Sequence, residues 1–337
     1  MDAPLKKLHH PWKLGKLLLP NRVLYSPLAG CSDLPFRRMA AKYRPGLIFC
    51  EMVKMDAIVR YDPGTFHLLD YEADMHPIGA QLCGSKVEMA APAARIIEDL
   101  GFDVVDLNCG CPVDKITKDG SGSGMLKNPR RIGDVISNIV AAVKIPVTVK
   151  IRAGWDDANI LAPEITRIAE DAGAAAITIH GRTREQAYKG DANWDYIQRC
   201  RETATNIQLI GNGDIFAPQD ALDMQAHTDC DAVMVSRGTM GQPWIAQEIL
   251  NLSQGLPLTE RNLTDYREEL LEHFRHTVDY EQEQGALIAM RRIGCWYFKS
   301  SFGTREFRHR VSRASSVKEV RELITEFPFG AEPDVNS

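Results

Sequence analysis

No run of about 18 apolar residues occurs in this chain, so no membrane span is expected, although 44% of its 337 residues are hydrophobic. The opening Met1-Asp2-Ala3-Pro4-Leu5-Lys6-Lys7 lacks the apolar stretch of a secretory signal, and a cytoplasmic protein is expected. An excess of positive charge is missing too. The formal net charge of −5 argues against a uniformly basic coat for nucleic acid and leaves local patches open. No CxxC pair is present. The eight cysteines (31, 50, 83, 109, 111, 200, 230 and 295) are scattered, several of them inside apparent strands, as reduced buried thiols are. Cys109-Gly110-Cys111 stands alone, so no zinc site and no other metal is expected. The glycine fingerprint of an open dinucleotide-binding sheet is also absent; the segment after the first strand candidate reads Pro27-Leu28-Ala29-Gly30-Cys31.

What the chain does have is regular alternation. Short apolar runs at 23–28, 47–51, 78–82, 104–107, 147–151, 176–179, 208–211 and 232–235 read as strands. Amphipathic segments such as 86–100, 130–143, 160–172 and 218–226 lie between them. Eight βα units in roughly 230 residues match an α/β fold of the (β/α)8 TIM-barrel type. The expected organisation is a barrel over 1–255, a small helical domain over 256–330 and a disordered tail over 331–337.

Chemistry in such a barrel sits at the carboxyl ends of the strands. The polar residues there are Glu51, Gln81, Asn108, Cys111, Lys150, Arg152, His180, Arg182, Asn212, Asp214 and Arg237. Each has a plain reading on its own: Glu51 can anchor a loop, and Asp214 can cap the helix after it. A ring holding amide, thiol, cations, imidazole and carboxylate together points to catalysis. The thiols sit in Leu107-Asn108-Cys109-Gly110-Cys111-Pro112, ahead of the pliable run Asp119-Gly120-Ser121-Gly122-Ser123-Gly124. A cysteine there can be a proton donor, a nucleophile, a metal ligand or an inert thiol.

Asn212-Gly213-Asp214 and Ser236-Arg237-Gly238 occupy the usual phosphate position of a barrel, after its seventh and eighth strands. Loop glycines let backbone N–H groups converge on an anion, and Arg237 adds a fork of donors. A flavin suits the neighbouring residues. Lys150 would stabilise negative charge at the N1–O2 side of the ring, Gln81 would pair with the N3–O4 edge, and His180 points into the same mouth. The plainer reading of Lys150 is a buried lysine paired with Asp106.

Beyond Pro257 the pattern changes. Residues 265–284 read as a charged helix with apolar positions Leu270, Leu271, Phe274 and Val278. From 286 to 321 nine Lys or Arg face two Glu, interleaved with Trp296, Tyr297, Phe298, Phe302 and Phe307. The clustered charge suggests a polyanion surface. The aromatics have the plainer reading of a small hydrophobic core.

Pro27-Leu28-Ala29-Gly30 with Asp33 and Phe36, Gln81, Asn108-Cys109-Gly110-Cys111-Pro112, Lys150-Ile151-Arg152, His180-Gly181-Arg182-Thr183, Asn212-Gly213-Asp214 and Arg237-Gly238 together resemble the tRNA-dihydrouridine synthases, in particular their bacterial B-type branch. The resemblance spans the barrel and continues into the helical domain. It implies a flavin mononucleotide (FMN) enzyme that uses NADPH (or NADH) to reduce selected uridines of tRNA to 5,6-dihydrouridine, with tRNA as its partner; separately, a monomer is expected. Carried over by position, Pro27, Leu28 and Ala29 line the flavin, Gln81, Lys150 and His180 bind its ring, and Asn212, Gly213, Asp214, Ser236 and Arg237 hold its phosphate tail. Asn108, Arg152 and Arg182 bind substrate. Cys111 gives a proton to C5 of the uracil after hydride reaches C6; an ordinary thiol, with a pKa near about 8.5, is suited to that. Two positions depart from the branch: Cys109, where an apolar residue is usual, and Ser236, where glycine is usual.

Two other classes share part of this pattern. A small-molecule flavin reductase of the dihydroorotate or dihydropyrimidine dehydrogenase type shares barrel and chemistry but has no use for a cationic carboxy-terminal domain. A non-catalytic RNA-binding protein has no use for Gln81, Cys111, Lys150 and His180 together.

Overall fold

Eight parallel strands close into a barrel, and a short antiparallel hairpin stands before them. The computed structural model describes residues 7–299 and 303–329. The hairpin strands are β1 (Trp12–Leu14) and β2 (Leu17–Leu19), joined by the two-residue turn Gly15-Lys16 with Gly15 at φ 58°. The barrel strands follow as β3 (Val23–Tyr25), β4 (Leu47–Lys54), β5 (Ile78–Cys83), β6 (Val104–Cys109), β7 (Val147–Arg152), β8 (Ala176–His180), β9 (Gln208–Asn212) and β10 (Ala232–Val235). Each pairs with the next, and β10 closes on β3. All eight strand candidates form, β3 shorter than its candidate and β4 and β6 extended at their outer ends.

Two apolar layers result from the alternation of side chains along the strands. The inner layer packs Leu24, Leu47, Phe49, Val104, Ile210 and Met234 against Trp12, Leu14 and Leu19, so the hairpin seals the floor of the barrel. The sequence reading has no strand before residue 23, so this hairpin is an addition to it. The outer layer lies between strands and helices and forms the largest core.

The helices run α1 (Leu34–Ala41), α2 (Met55–Val59), α3 (Pro63–His67), α4 (Val87–Asp99), α5 (Asp114–Thr117), α6 (Pro129–Val140), α7 (Ala162–Asp171), α8 (Asp195–Thr203), α9 (Pro218–Thr228) and α10 (Ile245–Ser253). Proline in the first turn starts α1, α6, α7 and α9, where its missing N–H costs nothing. Asp33 caps α1 by accepting the Phe36 N–H at 2.9 Å.

Four further helices follow: α11 (Leu263–Tyr280), α12 (Glu283–Tyr297), α13 (Arg305–Val311) and α14 (Val317–Glu326). Asn262 and Asp265 form a capping box at the start of α11. The charged helix read over 265–284 ends earlier, at Tyr280. The Tyr280 hydroxyl donates to Asp70 at 2.8 Å and also lies 2.9 Å from the His67 carbonyl, and this tie to the barrel side accompanies the turn. The aromatics follow the plainer reading: Tyr297, Phe298 and Phe307 are buried in the core of this helical unit. The cations stay outside, with Arg305, Arg310 and Arg313 exposed. Phe302 and the tail over 331–337 lie outside the described residues. Among the described residues no helix is long and apolar enough to cross a membrane, and no group of three His, Cys, Asp or Glu side chains is placed to hold a metal.

Candidate active site

A cavity of about 430 Å3 opens at the carboxyl ends of the strands. Every candidate site residue except Arg182 and Glu51 lines it, together with Cys31, Met52, Tyr188 and Phe216. Arg182 stands behind the wall. Its guanidinium donates to both carboxylate oxygens of Asp214 at 2.7 Å and to the carbonyls of Lys189 and Gly190. Asp214 in turn accepts Arg237 Nη2 at 3.0 Å, so this carboxylate orients an arginine and does not cap α9, whose first turn is closed by Asp220.

The loop that carries Cys111 is held from three sides. Asn108 Oδ1 accepts the N–H groups of Gly110 and Cys111 at 3.1 and 2.9 Å. Arg152 Nε donates to the Gly110 carbonyl at 2.9 Å. The Cys111 carbonyl accepts both the Ser123 N–H at 3.0 Å and the Ser123 hydroxyl at 2.9 Å. The glycine-rich run therefore seats the thiol loop. At Gly122 (φ 56°) a Cβ would meet the Cys111 carbonyl oxygen at 2.9 Å, so only glycine fits there. Cys111 is half-buried and faces the cavity; Cys109 is fully buried, with its sulfur 3.7 Å from Met125 Sδ. Burial pushes the Cys109 thiol well above its ordinary value.

A polar chain runs under the loop. Asn108 Nδ2 donates to Gln81 Oε1 at 2.7 Å, and Gln81 Nε2 donates to Asp106 at 2.7 Å. Asp106 also accepts the Thr148 hydroxyl at 2.6 Å. Burial raises the Asp106 pKa to about 6 against the pull of those two bonds and of Lys150. Lys150 Nζ itself donates to Asn212 Oδ1 at 2.7 Å, not to Asp106. Burial, with Arg152 nearby, lowers the Lys150 pKa to about 7, and Asp106 opposes the shift. Burial and four surrounding cations hold His180 neutral, well below its usual range.

At the far end, Asn212 Nδ2 donates to the Ser236 hydroxyl at 3.0 Å and to the Met234 carbonyl at 2.7 Å. The extra hydroxyl at position 236 is thus absorbed by Asn212. Arg237 lies between two aromatic rings, 4.7 Å from Tyr188 and 5.2 Å from Phe216. Among the described residues the backbone N–H groups of Asp214 and Ile215, which line this end, donate to no protein partner. Tyr188 and Phe216 were not singled out from the sequence, because neither sits at a strand end or in a periodic segment.

A family model described as dihydrouridine synthase matches residues 24–329. A probable tRNA-dihydrouridine synthase 1 of Synechocystis sp. is 36% identical over 322 residues, covering 93% of this chain and 88% of that one. A tRNA-dihydrouridine synthase B of Xanthomonas campestris pv. campestris is 36% identical over 307 residues, covering 90% of this chain and 92% of its own. Among solved structures, morphinone reductase superposes with a TM-score of 0.54 at 16% identity, covering 78% of this chain and 94% of that one. That similarity is one of fold.

Proposed function

The chain belongs to the dihydrouridine synthase family, and on that footing we propose that it reduces selected uridines of tRNA to 5,6-dihydrouridine, with FMN in the barrel mouth and NADPH as reductant. The observation that carries this reading is the convergence of Cys111, Lys150, His180 and Arg237 on one cavity of about 430 Å3. The donor set fits a phosphorylated flavin. Arg237 and the unpartnered N–H groups of Asp214 and Ile215 would take the phosphate, and Lys150 would face the electron-rich edge of the ring. When bound, the flavin supplies the hydride that adds to C6 of the uracil.

Addition at C6 builds negative charge across C5, C4 and O4 of the base. Cys111, on its clamped loop, delivers the proton to C5. Arg152 spends Nε and Nη1 on the carbonyls of Gly110, Thr183 and Ala187, which leaves Nη2 for the uracil. Asn108 fixes the thiol loop through its oxygen and gives one amide hydrogen to Gln81; the other rests on Met52 Sδ at 3.4 Å, a weak acceptor that the uracil edge would replace. Arg182 enters as a positioning residue: it holds Asp214, and Asp214 holds Arg237. A uridine in folded tRNA must leave its stack to reach this mouth. The exposed cations of the carboxy-terminal helices would grip the RNA backbone.

The test begins with the visible spectrum of the purified protein. Flavin bands that bleach with NADPH under anaerobic conditions, and dihydrouridine in tRNA incubated with the reduced protein, are expected. A colourless protein that FMN does not reconstitute overturns the reading.

A further inference from the structure

A second cavity, of about 220 Å3, opens where the barrel mouth meets α11 and α12. Nothing in the proposed reaction uses it. Ala29 and Cys31 line the reaction cavity and Gly30 between them lines this one, so the two are separated by the width of one loop. Its inner wall is Glu51, 7% exposed, within the register shift of β4 between Phe49 and Met52. Bulges of this kind re-aim side chains beside sites. One Glu51 oxygen accepts the Gly30 N–H at 2.6 Å; the other has no hydrogen-bond partner among the described residues, and the side chain lines the cavity. Asp33 stands beside it with one oxygen committed to the cap of α1. Leu34 and Ile288 provide apolar surface, and Ile288 remains 53% exposed on α12. Arg292 closes the outer side, its Nη1 3.5 Å from where a Cβ on Gly30 would stand.

We propose that this cavity is a subsite for a second base of the RNA, beside the target uridine on the strand, and that it favours a base carrying an exocyclic amino group. The inference rests on the reading of the chain as a tRNA uridine reductase. A buried carboxylate is an acceptor only, so its unpartnered oxygen calls for an N–H donor from whatever enters. Adenine, cytosine and guanine offer an amino group; uracil turns carbonyl oxygens on both sides of its single N–H toward the same wall. Burial holds the Glu51 and Asp33 carboxyl groups above their ordinary values, and a donor from the ligand relieves that penalty. Leu34 and Ile288 suit the flat face of a base, and Arg292 at the rim suits the phosphate that joins two nucleotides. Gly30 without a side chain lets neighbouring nucleotides straddle the loop, one on each side.

The test uses the full-length flavoprotein and tRNA transcripts in which each nucleotide flanking the modified uridine is replaced in turn. With the wild-type protein, changing one amino-bearing neighbour to uracil should lower kcat/KM for dihydrouridine formation by about tenfold. Ile288→Trp fills the cavity from its exposed side; it should lose about as much on the unaltered tRNA and become indifferent to that replacement, with flavin content and NADPH oxidation unchanged. Glu51→Gln keeps an acceptor for Gly30 and adds a donor, and should reduce the preference against uracil. Dihydrouridine formed at equal rates whatever the neighbours overturns this inference alone, as does an Ile288→Trp protein as selective as the wild type. Absence of dihydrouridine from every transcript overturns the reading of function and this inference with it.

Discussion

Cys109 and Cys111 are two positions apart in the sequence and differ in burial and in access to the cavity. Cys109 ends β6 inside the outer core, against Met125, while Cys111 lies past Gly110 on a loop where the N–H and carbonyl groups of Gly110 and Cys111 are engaged. Cys111→Ala should leave flavin reduction by NADPH near normal and slow uridine reduction by about 10²–10⁴, the usual worth of a general acid. Cys109→Ala should cost packing and keep dihydrouridine formation. Stopped-flow spectroscopy of the two half-reactions separates these outcomes. Lys150 gives a second expectation at this scale. Burial brings its pKa to about 7, so the free protein loses the ammonium as pH rises through that value. Binding an electron-rich group favours the charged form; FMN affinity should therefore fall as pH rises from about 7 to 8.5, by up to about tenfold per unit. Lys150→Met should bind more weakly, with no such slope in a titration followed by flavin fluorescence. The sequence made both placements legible, because a strand end in a barrel already says where a side chain points. It did not show that Arg182 is walled off, since that follows from Asp214 standing in the left-handed region at φ 55° and turning its carboxylate inward.

At the scale of elements, the barrel was readable because each strand is a short apolar run between amphipathic segments. The floor hairpin was not, because two three-residue strands carry too little pattern to register. The end of α11 was misplaced for a different reason: its anchor, Tyr280, bonds to residues more than two hundred positions away. The same helical unit carries a pH dependence. His273 is buried between α11 and α12, its Nδ1 3.1 Å from the Tyr297 hydroxyl and its Nε2 without a partner among the described residues. Burial lowers its pKa to about 3, with a small contribution from His276. In the unfolded chain this ring takes a proton below about pH 6.5, while in the folded one it does not until about pH 3. The unfolded state therefore binds more protons in that window, and stability falls as pH drops from 6.5 toward 3. His273→Asn should flatten this dependence in thermal denaturation followed by circular dichroism.

For the whole molecule, a net charge of −5 conceals an uneven distribution. Within the basic stretch, α12 and α13 turn aromatics inward and, with α14, cations out, so these helices keep a solvated positive face within an acidic protein. Binding to tRNA should weaken steeply with added salt. Charge reversal at Arg310 and Arg313 should reduce affinity by about tenfold or more and lessen that slope, leaving NADPH oxidation intact. A filter-binding titration at several salt concentrations reads both. The most direct measurement of the central claim mixes the anaerobically reduced protein with unmodified tRNA and follows flavin absorbance and dihydrouridine together. The account expects one dihydrouridine for each flavin reoxidised, at one shared rate in the wild type and at a rate lowered by about 10²–10⁴ in Cys111→Ala. Flavin reoxidation by tRNA without dihydrouridine, or at the same rate in both proteins, would contradict it.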